Sequence, residues 1–115
     1  MQQGLRLNRS EDIKRVRQEG RSLANAILVL VYLSKPCDQT KVAVVAGKSV
    51  GGAVQRNFAK RRIRSAFQML FLEVEPGYDL VLIARKPILE ADYQTIVDSL
   101  KALLLQAKII KEAIN

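Results

Sequence analysis

Apolar residues recur along this chain with two different periods, and the switch between them marks out the elements. Leu23 followed by Ala26 to Leu33, then Lys41 to Ala46 (KVAVVA), then Asp79 to Ala84 (DLVLIA), are short runs rich in β-branched and aliphatic residues, which predicts three strands. Elsewhere the spacing lengthens to three and four. Ala59, Ile63, Ala66, Phe67 and Leu70 form one helical stripe, and Ile96, Val97, Leu100, Leu103, Leu104, Ala107 and Ile110 form a second, over about Asp92 to Ile110. A short polar helix precedes them, with Ser10 as its N-cap, Glu11 and Asp12 at its positive end, Ile13 and Val16 as its apolar residues and Gly20 at its close. The stretch from Ser34 to Asp38 turns the chain tightly enough to predict an antiparallel hairpin between the first two strands. Gly51-Gly52, Glu75-Pro76-Gly77 and Pro87 punctuate the rest. The resulting order is α-β-β-α-β-α around a small mixed sheet, an α+β sandwich. Its central helix joins two strands that run parallel if they share a sheet, and an ordinary crossover of that kind is right-handed.

Length and composition narrow the class. With 115 residues, 49% of them hydrophobic, residues 1 to 115 are expected to form one domain around one modest core. No apolar run approaches the roughly 18 residues that suggest a membrane span, and MQQGLRLNRSED has no apolar signal core, so a cytoplasmic protein without membrane partners is expected. Cys37 is the only cysteine, which excludes an internal disulfide and a cysteine zinc cluster; it reads as an inert thiol near a turn.

Charge changes the picture most. Between Lys48 and Arg64 there are six Lys and Arg residues, and no carboxylate occurs from Gln39 to Leu72. That block carries +7, residues 1 to 38 carry +3 and residues 73 to 115 carry −2, so the net +8 is segregated. At roughly 100° per residue, Asn57, Lys60, Arg61 and Arg64 fall on an arc beside the apolar stripe, with Arg56 at the border. A solvated helix face normally mixes signs, whereas an acid-free face suits phosphate, which Arg grips bidentately and whose counterions are released on binding. Catalysis by the polypeptide lacks its usual reagents. Histidine is absent, and the pairs Glu11/Asp12, Glu73/Glu75 and Glu90/Asp92 lie beside predicted helix ends rather than together, so neither catalytic nor metal-binding residues are assigned.

The segment Lys48, Val50, Gly51, Ala53, Val54, Arg56, Asn57, Lys60, Arg61, Arg64 resembles the hallmark K-x-V-G-x-A-V-x-R-N-x-x-K-R-x-x-R of the protein subunit of bacterial ribonuclease P. Ser10 to Asn25 and Tyr78 to Pro87 are similar to that family's first helix and last strand, so the resemblance spans nearly the whole chain. It departs from the family at Phe58, where an arginine is usual, and at Ile13 and Arg17, where the family often carries Phe. The resemblance implies a left-handed βαβ crossover, in a sandwich like the second domain of a small-subunit ribosomal protein. It also implies a protein subunit whose catalytic RNA partner, working with Mg²⁺, removes the 5′ leader from precursor tRNA. No obligate protein partner is implied. Lys48, Arg56, Asn57, Lys60, Arg61 and Arg64 would then bind RNA. Arg85 and Lys86 match a basic loop of the family and either touch RNA or simply end a strand. The single-stranded leader would lie in a cleft between the first helix and the sheet, walled by Ile13, Val16 and Arg17, with Tyr32 either a stacking platform or an ordinary core or edge residue. Phe58 reads as packing at the helix boundary, with stacking on RNA as the other possibility. A stand-alone RNA-binding or ribosome-associated module, and a small enzyme on a related scaffold, are the competing readings.

Overall fold

The computed structural model describes residues 6–36 and 39–111, so Cys37 lies outside the described residues. Helix α1 (Ser10–Glu19) is followed by β1 (Arg21–Ala24), β2 (Leu28–Ser34), β3 (Lys41–Val45), α2 (Ala53–Leu70), β4 (Tyr78–Ala84) and α3 (Tyr93–Gln106). The four strands form one mixed sheet in the order β1-β2-β4-β3, with β2 antiparallel to β1 and β4, and β3 parallel to β4. The α+β fold and the parallel pair joined by the central helix agree with the sequence.

The expected hairpin between the first two long strands does not form. Strand β4 sits between β2 and β3 instead, and its burial explains why. Asp79, Leu80, Val81, Leu82 and Ala84 are buried, so DLVLIA is apolar on both faces and takes a central place that an edge strand would waste. Thr40 aligns β3 against it: the buried Thr40 hydroxyl donates to the Glu75 carbonyl at 2.6 Å and accepts from the Tyr78 N–H at 3.2 Å. The run read as one strand from Leu23 to Leu33 is a hairpin, β1-β2. Asn25 breaks it, its Oδ1 accepting from the N–H groups of Ile27 and Leu28 while its Nδ2 donates to the Ser99 carbonyl of α3.

Helix ends differ in detail. Arg9, not Ser10, occupies the N-cap of α1 and makes no side-chain cap bond. Gly20 closes α1 as expected, and a Cβ there would stand 2.7 Å from the Tyr32 carbonyl oxygen, so glycine lets α1 turn directly onto β2. Helix α3 stops at Gln106, before Ala107 and Ile110; Lys108 takes a left-handed φ of 63°, and Ile110 bridges to Val74.

Strand alternation divides the core into two layers. Leu28, Leu30, Val42, Leu80, Leu82 and Ala84 face α2 and α3, where they meet Ile63, Phe67, Ile96, Leu100 and Leu104. On the other face, Val31, Ala43 and Val81 lie with Leu7 beneath Val16 of α1. Asp79 shares that second face at 0% exposure, with its Oδ1 3.1 Å from Lys35 Nζ and its Oδ2 3.5 Å from Arg15 Nη2. One buried carboxylate thus ties α1 and the loop after β2 to the central strand.

Removing either half of this ion pair has unequal consequences. Lys35→Met leaves Asp79 buried with the longer Arg15 contact and should cost about 2 kcal/mol, whereas Asp79→Asn leaves two cations that water reaches and should cost about 1 kcal/mol or less. Urea denaturation measures both; an Asp79→Asn loss larger than that of Lys35→Met would refute this ordering.

Candidate nucleic-acid interface

Helix α2 begins where Gly51 adopts φ 150°, a conformation that other residues avoid, and Gly52 serves as N-cap. Val50 just before it is 1% exposed and anchors the entering chain, leaving Lys48 exposed in the preceding turn. The first turn of α2 holds no acidic side chain, so the positive end of the helix dipole remains uncompensated by one.

The stripe expected to pack does so: Ala59, Ile63, Ala66, Phe67 and Leu70 are the buried residues of α2. Their burial fixes the helix's rotation. Arg56, Lys60 and Arg64 are half-buried along one flank, and Asn57 and Arg61 are exposed beside them. Val54, Asn57, Arg61 and Arg64 line a shallow depression of about 450 Å³ there. The Nε atoms of Arg56 and Arg64 are buried without a hydrogen-bond partner among the described residues. Burial first, and the Arg6 guanidinium second, lowers the Arg64 pKa from its ordinary value. Arg6 reaches this surface because it bridges to Val42 beside β3. Arginine nevertheless stays charged at neutral pH, so like charges are held together here with no carboxylate on the helix to relieve them.

Arg85 and Lys86 are exposed just past β4. Since β3 and β4 run parallel, the chain leaves both strands at the same end of the sheet, toward Lys48 and the start of α2 in one case and Arg85 in the other. The Arg85 side chain has a structural task, its Nη1 donating to the Asn25 carbonyl at 2.7 Å. Arg62, not assigned from the sequence, donates from Nη1 to the Ala91 carbonyl at 2.9 Å. Phe58, expected to pack at the helix boundary, lies against Arg62 and is 38% exposed, outside the buried stripe of α2.

The residues expected to wall a cleft beside α1 are separated by the structure. Ile13 is half-buried and Arg17 exposed, but Val16 is 0% exposed, in the core rather than on a wall. Tyr32 alternates with Leu28 and Leu30 and packs with the α2/α3 layer, so it lies on the opposite face of the sheet from α1. Of its two readings Tyr32 is thus the packed residue, and β2 is not the sheet edge, because β1 pairs beside it. What the α1 face presents instead is Val29, Ile83 and Val45, paired side by side across β2, β4 and β3 and each only partly buried. Strict alternation within LVLVYLS and DLVLIA carried that signal; the strand order needed to align the three did not follow from it.

Comparison with known proteins agrees with this geometry. A family model described as Ribonuclease P matches residues 1–108. The ribonuclease P protein component of Chloroflexus aurantiacus is 37% identical over 116 aligned positions, covering 100% of this chain and 86% of the relative. That of Herpetosiphon aurantiacus is 33% identical, covering 95% and 89%. Among solved structures, the RNase P protein of Staphylococcus aureus superposes with a TM-score of 0.83 at 29% identity, over 93% of this chain and 98% of that one. The RNase P protein of Thermotoga maritima gives 0.80 at 30% identity, over 88% and 96%.

Arg64 is partly desolvated beside Arg6, so its charge is expected to add nothing to the stability of the free protein. Arg64→Met should leave the free protein within about 1 kcal/mol of the wild type or make it more stable, while weakening RNA binding. Thermal melting checks the first half; a fall in Tm of more than about 8 °C would show that Arg64 is a structural residue.

Proposed function

We propose that this chain, which belongs to the ribonuclease P protein family, acts as the protein subunit of a ribonuclease P ribonucleoprotein that removes the 5′ leader from precursor tRNA. The observation that carries the reading is the acid-free flank of α2, where Arg56, Asn57, Lys60, Arg61 and Arg64 stand together with Arg6 beside them. Its substrate class is polyphosphate, and its chemical contribution is charge. Two RNAs brought together repel, and guanidinium and ammonium groups offset that repulsion by displacing condensed counterions. Lys48, Arg85 and Lys86 extend the contact at the sheet end from which α2 departs. The whole chain acts as one domain, in the cytoplasm; among the described residues no helix is long and apolar enough to cross a membrane.

The polypeptide is a subunit rather than the catalyst in this reading. The chain contains no histidine, and the described residues gather no group of three or more acidic, cysteine or histidine side chains able to hold a metal ion. In this reading the ion that the reaction uses is held by the RNA, and no protein side chain is assigned to it.

For the leader, the α1 face of the sheet supplies the apolar row Val29, Ile83 and Val45, with Ile13 packed into the same cluster and the exposed Arg17 one turn further along α1. None of these offers an aromatic platform. Leader binding would rest on shape, apolar contact with base faces and the Arg17 charge, more than on stacking.

The test of the main reading is reconstitution. Protein free of RNA should not cleave precursor tRNA, and with a bacterial ribonuclease P RNA it should lower the Mg²⁺ required for 5′ processing. Replacing any two of Arg56, Lys60, Arg61 and Arg64 with Ala should reduce the slope of log affinity against log salt by about one to two. Cleavage by the RNA-free protein, or an unchanged slope, would overturn it.

A second measurement addresses the leader. Arg17→Ala should weaken binding of leader-bearing tRNA about fivefold, on the order of 1 kcal/mol, in a salt-sensitive way, and Ile13→Phe should strengthen it by adding a ring. Mature tRNA should show little change with either. Equal losses on both substrates would place these residues in folding or in RNA-subunit binding.

A further inference from the structure

Beyond the basic flank of α2, on its α3 side, lies a second depression of about 320 Å³ lined by Phe58, Arg61, Arg62, Ser65 and Tyr93. It is built differently from its neighbour. Phe58 is 38% exposed, an aromatic ring left open to solvent on a helix whose packing stripe is complete without it. The Arg62 guanidinium carbon stands 5.1 Å from the Phe58 ring centroid, and its Nη1 bond to the Ala91 carbonyl at 2.9 Å holds the guanidinium in place. A ring and a planar cation are thus fixed against each other. Ser65 Oγ and Tyr93 OH are 2.9 Å apart and share one hydrogen bond. That bond uses one of two hydroxyl protons, so one O–H donor and several lone pairs remain for another group. Asp92 is the carboxylate coupled electrostatically to Arg62, and it is already committed, accepting from the Thr95 N–H at 2.8 Å as the cap of α3.

We propose that this depression takes a single unpaired nucleobase of the RNA bound along α2, with Phe58 and Arg62 as its stacking platform, the Ser65 and Tyr93 hydroxyls at its edge and Arg61 on the adjoining phosphate. Each part has a physical reason. A base brings a π-face to the ring and the cation, a donor and acceptor edge to the hydroxyl pair, and a negative phosphate to the exposed Arg61. An aliphatic or acidic protein segment would use the ring or the cations, but not both planes. The inference rests on α2 being the RNA-binding element, and it extends that element's contact from one flank to two.

The chain contains no tryptophan, so Phe58→Trp places a single tryptophan at the platform, which can be excited selectively over the tyrosines. With full-length bacterial ribonuclease P RNA as the probe, its emission should be quenched on binding, at near wild-type affinity. Phe58→Leu, kept as a folded variant by its melting curve, should bind the same RNA about 5- to 140-fold more weakly, the range expected for one lost stacked base, with an unchanged salt slope. The charge variants of α2 move the slope instead. Emission unaffected by bound RNA, or Phe58→Leu binding as tightly as the wild type, overturns the stacking site and leaves the basic flank in place. A wild-type affinity that does not respond to the α2 charges would overturn the basic flank itself.

Discussion

The rotation of α2 about its own axis is the constraint on which the other assignments depend. It is set by five side chains, Ala59, Ile63, Ala66, Phe67 and Leu70, all buried against the sheet and α3. Burying Phe67 and its neighbours is worth several kcal/mol in total at roughly 25 cal/mol per Å² of apolar surface. A rotation of one residue, about 100°, would exchange part of that for buried guanidinium, which costs more than any surface charge interaction returns. Given this seam, the cations have one direction open to them. The apolar pattern therefore positions the charge, and the charge need not stabilise anything.

That division explains why the basic flank is not relaxed. Surface charges in most proteins are interspersed with their opposites, which is how the exposed pairs Lys101–Glu73 at 3.7 Å and Lys111–Glu75 at 3.4 Å stand elsewhere on this molecule. On α2, the Nε atoms of Arg56 and Arg64 are buried without hydrogen-bond partners among the described residues, and burial first, then Arg6, lowers the proton affinity of Arg64. Like charges held together without compensation raise the energy of the free protein, and a bound phosphate would relieve them. Arg62 is the informative exception, since its bond to Ala91 and its place over Phe58 give it a neutral partner and a structural duty.

Much of this was legible in the chain because it depends on local period. The α2 stripe and the runs KVAVVA and DLVLIA are each patterns within about twenty residues and appear where expected, and the acid-free block needs only a count along the chain; the first strand run is the exception, since Asn25 divides it into β1 and β2. Strand order is not local. That DLVLIA displaces the expected hairpin partner of β2 depends on how β4 returns after α2, and on Thr40 reaching Glu75 and Tyr78, a contact across more than thirty residues. Tyr32 as a leader platform fails for the same reason, while its alternative as a packed residue holds: its alternation is readable in the chain, but which face α1 covers is not. Val29, Ile83 and Val45 looked like ordinary core residues one strand at a time and become a surface row only once three strands are aligned.

The central claim, that the flank of α2 bearing Lys60 and Arg64 faces RNA, is tested most directly by tethered hydroxyl-radical cleavage. Cys37→Ser would remove the native thiol, and an iron chelate would be attached at Gln68→Cys, one turn beyond Arg64 on α2, or at Asp98→Cys on the exposed side of α3. In the assembled complex with ribonuclease P RNA, the Gln68 tether should produce strong, localised cuts in that RNA and the Asp98 tether few. Equal cutting from both positions, or cutting from Asp98 alone, would contradict the orientation that the buried seam of α2 imposes.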